Sequence, residues 1–139
     1  MRSMVISFDS IFSILIFIGL LYYLGSTWNL LVQELEERQT DLLQLRTQQA
    51  LTYIFKQVGK GHEIEQDKIE FFVDQTINNY TATKENLGLS EFELKFLVKD
   101  MNNTILYQTN TTPSGELIVT STRYGVIDQP VRLDLWVWR

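Results

Sequence analysis

Few residues in this chain could do chemistry, and each type limits what that chemistry is. There is one histidine, His62, in a Gly-Lys-Gly-His stretch, and no cysteine. A lone imidazole cannot build a multi-histidine metal site, and without partners it cannot complete a histidine-dependent proton relay, so His62 reads as a solvated loop residue. The sequence holds no glycine-rich phosphate loop, no His-Glu-x-x-His and no Ser-His-Asp set. Its carboxylates are scattered along polar helical surfaces. No catalytic residue, metal or cofactor is therefore expected, and the chain does not read as an enzyme. What remains is attachment chemistry. Asn79, Asn102 and Asn110 each open an Asn-x-Thr triplet, the acceptor for a glycan on an exported surface. Asp9 is the other notable group, a carboxylate at the edge of an apolar run, where a charge is expensive unless compensated. Asp9 or Ser7 could cap the open N–H groups of a first helical turn, where the helix dipole favours negative charge. Asp9 could also meet a positive charge from another chain, such as an α-amino group exposed by processing. The two roles are compatible.

The element that positions these groups is the run 11–32, IFSILIFIGLLYYLGSTWNLLV, which carries no charge. At ~1.5 Å rise per residue it crosses the ~30 Å hydrocarbon layer as a helix, the one open conformation that satisfies its own backbone in lipid. A cleaved secretory signal would have a shorter apolar region and a small-residue cleavage site, for which Gly25-Ser26-Thr27 is a poor fit. Arg2 lies before the run and Glu34, Glu36 and Glu37 follow it. This asymmetry places the N-terminus in the cytoplasm and the remainder outside, as a single-pass protein. A net charge of −5 and a pI near 4.8 exclude nucleic acid as an expected partner.

From residue 33 to 58 the helical pattern continues without proline or glycine but turns polar. Leu31, Leu35, Leu42 and Leu45 keep to one face, and Leu51, Ile54, Phe55 and Val58 to another, roughly opposite at about 100° per residue. Two faces suggest two partners, the upper row for the chain's own head and the lower for helices of neighbouring molecules; the alternative is a helix wrapped by its own head on both sides. Glu34 and Arg38 are spaced for an i,i+4 pair. Lys56 and Lys60 suit the negative end of the helix, and Gly59 or Gly61 could end it in a left-handed conformation.

The organisation expected is a leader over 1–9, a transmembrane helix over 10–32, an amphipathic extension over 33–60 and a head over 61–139. Within the head a second helix is predicted over 64–79, with Ile64, Ile69, Phe72, Val73 and Ile77 inward, then a polar link over 81–88. The period then changes to two, predicting antiparallel strands over 92–98, 104–108, 116–124 and 131–138. In the last strand Val131, Leu133, Leu135 and Val137 face the helix, while Trp136 and Trp138 are either covered by a loop or offered to another molecule. The fold class is α+β, a long N-terminal helix packed on a small antiparallel sheet of about four strands.

This pattern is similar to type IV pilins and their pseudopilin relatives. The lead Arg2-Ser3 and the string Phe8-Asp9-Ser10-Ile11-Phe12 look like archaeal pilin-like proteins with class III signal peptides. The resemblance covers the first sixty residues in pattern and the rest in architecture. It implies cleavage by a prepilin peptidase, here after Ser3 or Met4, and delivery to an assembly platform. It implies that Asp9 neutralises an amine during assembly, and that Phe8, Phe12, Leu31, Leu35, Leu42 and Leu45 contact other subunits. The chain departs from the family in lacking the usual glycine before the cut and in carrying Asp where Glu is usual. The implied function is a major or minor subunit of an adhesive, glycosylated surface filament, with itself and the membrane as partners. The alternative is a monomeric single-pass protein whose head binds a partner.

Overall fold

A computed structural model describes residues 8–115 and 117–139 of the chain. The calls on Arg2, Ser3, Met4 and Ser7 lie outside the described residues. The chain falls into two units, Met1–Gln39 and Thr40–Arg139. One helix, α1 (Phe8–Val58), runs unbroken through both. It contains the one span among the described residues that is long and apolar enough to cross a membrane, and none of that span is buried within the chain.

The second unit takes its shape from the change of period noted above. Its α1 portion buries Leu43, Thr47, Ala50, Leu51, Ile54, Phe55 and Val58. The expected upper row is thus in the core, joined by three residues N-terminal to it. Thr47 belongs there because its Oγ1 donates to the Leu43 carbonyl at 2.7 Å, which satisfies the hydroxyl inside the helix. No left-handed glycine caps the helix. It ends at Val58 and passes directly into a two-residue strand, β1 (Gly59–Lys60), which turns through Gly61 at φ +70° into β2 (Glu63–Ile64). The Val58 carbonyl is taken by the Glu65 N–H at 2.8 Å, so the hairpin supplies the missing terminal bond.

Helix α2 (Gln66–Asn78) starts two residues later than predicted, and α3 (Tyr80–Asn86) occupies the segment expected to be a polar link. On α2 the buried row is Ile69, Phe72, Val73 and Thr76. Ile77, expected inward, is exposed, because the stripe set by Ile69 and Phe72 continues to Thr76. Thr76 tolerates this position by donating to the Phe72 carbonyl at 2.8 Å.

The sheet has six strands, not about four, in the order β1-β2-β5-β6-β3-β4. Strands β3 (Glu93–Asp100), β4 (Ile105–Gln108), β5 (Ile118–Ile127) and β6 (Gln129–Trp138) are the predicted set, joined antiparallel. The additional pair is short, and β2 runs parallel to β5, so the sheet is mixed. Strands β2 and β5 approach closely at Gly125, where a Cβ would overlap the Ile64 side chain. Strand β6 begins two residues before the predicted start at 131 and so includes Pro130. That proline pairs with Val126, whose N–H is already given to the His62 carbonyl at 2.9 Å, so the missing proline donor takes no bond from the ladder.

Alternation along β6 places Val131, Leu133, Leu135 and Val137 at 0% exposure, facing the core with Leu94, Phe96 and Val98 of β3. Phe72 of α2 meets Phe96 edge to face, with ring centroids 5.3 Å apart. At ~1.5 to 3 kcal/mol for each large apolar side chain removed from water, this layer is the main source of stability for the second unit.

Candidate functional site

Every helical side chain expected to contact other subunits is uncovered within the chain. Asp9 lies in the first turn of α1, and Phe8 and Phe12 beside it are exposed. Leu31 and Leu35 are exposed in the first unit, and Leu42 and Leu45 in the second, at 58% and 53%. Together with Leu31 and Leu35 they form an exposed aliphatic row along α1. In the second unit the two sides of one helix differ sharply. Leu43 and Thr47 are 2% and 0% exposed against the head, while Leu42 and Leu45, roughly 100° to 160° around the helix, face outward.

Between residues 11 and 24 the apolar side chains are exposed on all sides of the helix, which is compatible with a membrane-spanning segment. Farther along, the polar surface is organised locally. Arg38 donates to Glu34 at 2.6 Å, the pair expected from their spacing. Both side chains are more than half exposed, so the pair adds little stability.

The head surface is held by two polar latches that spacing could not reveal. The Tyr80 hydroxyl, on α3, accepts the Leu94 N–H at 2.8 Å and donates to Glu93 Oε2 at 2.7 Å. Lys84 closes the cluster, 2.9 Å from Glu93 Oε1 and over the Tyr80 ring. Burial pushes the Tyr80 hydroxyl up to about 12, and the neighbouring Glu93 adds to the rise. The hydrogen bonds from Lys84 and Tyr80 hold Glu93 below the usual carboxylate range. The second latch joins α2 to β4, where the Tyr107 hydroxyl donates to Glu70 Oε1 at 3.0 Å. Hydrogen bonds from Gln66 and Tyr107 lower the Glu70 carboxyl.

On the sheet face away from α1, Trp138 is buried and Trp136 half-buried, so neither indole is freely offered. A Cβ at Gly115 would overlap the Arg139 carbonyl and lie in ordinary contact with the Trp138 indole, which places the β4–β5 connection beside the end of β6. Asp134 is also buried on this face, with Thr122 donating to one carboxylate oxygen at 2.8 Å and Arg132 to the other at 3.1 Å. Among the described residues, the Trp136 Nε1 is the one buried side-chain nitrogen or oxygen without a hydrogen-bond partner.

All three triplet asparagines are exposed. Asn79 stands at the junction of α2 and α3, Asn102 in the β3–β4 turn and Asn110 after β4. His62 is exposed in the β1–β2 turn, where its carbonyl, not its imidazole, does the structural work. Sequence reasoning missed an open groove of about 530 Å³ where the upper end of α1 meets α2 and α3, lined by Tyr53, Phe71, Phe72 and Leu87. Phe71 is 65% exposed there. It precedes Phe72 of α2's buried row by one position, so its aromatic character alone was the available signal. Among the described residues, no group of three His, Cys, Asp or Glu side chains is arranged to hold a metal ion.

No protein-family model, curated protein or solved structure matches this chain.

Proposed function

We propose that this chain is a structural subunit of a type IV pilus-like surface filament, assembled through α1. The observation that carries this reading is the apolar helix that its own chain leaves bare. Leu42 and Leu45 remain uncovered on the very segment whose other side forms the head core. In the membrane, residues 10–32 rest in lipid, with the N-terminus cytoplasmic and the head outside. On assembly, subunits exchange lipid for one another, re-burying the apolar helices in the filament core. Large side chains that would otherwise face water contribute ~1.5 to 3 kcal/mol each, enough to hold a fibre without covalent links. Asp9 neutralises an amine in that core, a prepilin peptidase trims the leader near Ser3 or Met4, and an assembly platform extracts the subunit. Asn79, Asn102 and Asn110 would carry glycans on the outer sheath.

The experiment is to shear cells and compare the surface fractions of the native chain and an Asp9→Ala variant by electron microscopy and mass spectrometry. Fibres containing the chain and free of lipid are expected, with lower yield for the variant and an unchanged head fold. Normal fibre yield from the variant would remove Asp9 from assembly, and strict retention in detergent-soluble membrane would overturn the filament itself. That second outcome favours a monomeric anchored protein, for which the Tyr53–Phe71 groove is the partner-binding surface.

A further inference from the structure

The exposed side of α1 carries a regular repeat. The first positions of five successive heptads are Ile14, Leu21, Trp28, Leu35 and Leu42, and the fourth positions are Phe17, Leu24, Leu31, Arg38 and Leu45. All nine apolar members are exposed. A sustained seven-residue repeat is the pattern of helices that wrap one another in a left-handed supercoil, each side chain entering a hole on the facing helix. Lipid can cover the lower members. It cannot cover Leu35, Leu42 and Leu45, which stand among Glu34, Glu37, Asp41 and Arg46, beyond the uncharged run. The head does not cover Leu42 and Leu45 either, since it packs on the side of α1 that holds Leu43, Thr47 and Ala50.

Charge complementarity identifies the occupant. In this heptad frame Asp41 takes the seventh position and Arg46 the fifth position of the next heptad. In a parallel, in-register pair those two positions face each other across the seam, so Asp41 of each helix would meet Arg46 of the other. Both are exposed, and neither makes an ion pair among the described residues. Copies anchored by the same apolar run in one membrane are parallel and at equal depth, which supplies the register. Arg38 is the one charged member of the seam. Its bond to Glu34 of the same helix keeps that layer electrically neutral, and a single polar layer selects register at some cost in stability. Above Leu45 the next seam positions are Gln49 and Thr52, so the apolar contact ends there.

We infer that α1 binds a second copy of this chain along this face, as a parallel, in-register two-helix pair sealed by reciprocal Asp41–Arg46 contacts. The pair closes on its own twofold axis and leaves the remaining apolar surface of residues 11–32 for lipid or further copies. It therefore stands whether or not the chain is exported into a filament.

The absence of native cysteine makes the test direct. Leu42→Cys, Leu45→Cys and Gln44→Cys are introduced singly into the full-length chain in its membrane, followed by mild oxidation. Disulfide-linked homodimers are expected for Leu42→Cys and Leu45→Cys, with Gln44→Cys, on the flank of the helix, remaining largely monomeric. In the Leu42→Cys background, Asp41→Arg should lower cross-linking roughly fivefold to tenfold, and adding Arg46→Asp should restore it. Equal cross-linking at all three positions, none at any, or linkage to a different protein would overturn the inference. So would linkage of Leu42→Cys only to a cysteine at another height, which marks a staggered contact and leaves the filament reading intact. Efficient cross-linking in cells that produce no fibres would overturn the filament and leave the pair.

Discussion

Replacing Ile54 and Leu45 separately by alanine asks whether the two sides of α1 serve different partners. Ile54 is 0% exposed in the cluster formed with the sheet, whereas Leu45 is 53% exposed. Truncating a fully buried isoleucine removes transfer energy and leaves a cavity, typically ~2 to 5 kcal/mol. For a unit the size of Thr40–Arg139, each kcal/mol shifts the melting temperature by ~4 to 8 °C, so a loss of about 3 kcal/mol lowers it by ~12 to 24 °C. Leu45→Ala removes little that the chain itself has buried and should stay within about 0.5 kcal/mol. The assay is thermal unfolding of the full chain, followed by near-ultraviolet circular dichroism of the head aromatics, at a detergent excess that keeps chains apart. Equal destabilisation by the two variants would refute the division of the helix into an inward and an outward face. A reversal of their order would do so more strongly.

Other consequences follow from the head. Tyr80 is neutral in its latch and its folded-state pKa lies near 12, above the usual value of 10. Its contribution should therefore be intact below pH 10 and disappear as pH rises towards 12, seen as alkaline loss of stability alongside tyrosinate absorbance; Tyr80→Phe should abolish that component. Glu93 is shifted the other way, so its contribution holds above pH 4.5 and fades as pH falls below it, and Glu93→Gln should flatten the acid limb of the melting profile. Gly125→Ala should push β2 from β5 and cost about 1 to 3 kcal/mol by overpacking. Adding Ile64→Ala should recover part of that loss in a double-mutant melt, and independent, additive effects would disprove the close approach.

Sequence alone displayed the features that repeat. Leu51, Ile54, Phe55 and Val58 were legible as a core row because four spaced aliphatics set a helical phase. Alternation in β3 and β6 was legible because one face of each strand is uniformly apolar. Features resting on single contacts were not. Two-residue strands such as Gly59–Lys60 and Glu63–Ile64 have no period to read. Thr47 and Thr76 look polar, and only their bonds to carbonyls one turn back explain their burial. The segment taken as a polar link became α3 through Tyr80 and Lys84 reaching Glu93, a tertiary contact invisible to local pattern. The inclusion of Pro130 in β6 was not legible, because the register that spares its missing N–H is set by β2, far away in sequence. At the candidate site, the exposed leucines were legible by spacing, whereas the Tyr53–Phe71 groove depends on how α2 and α3 meet the end of α1.

The central claim is that α1 exchanges lipid for other protein chains. It is tested most directly by determining the structure of fibres sheared from the cell surface, without detergent. The account predicts fibres of this chain with the α1 helices at the axis, Leu42 and Leu45 against neighbouring subunits and no lipid along residues 10–32. Recovery of the chain only from membranes, its apolar helix still surrounded by lipid and no fibre present, would contradict it.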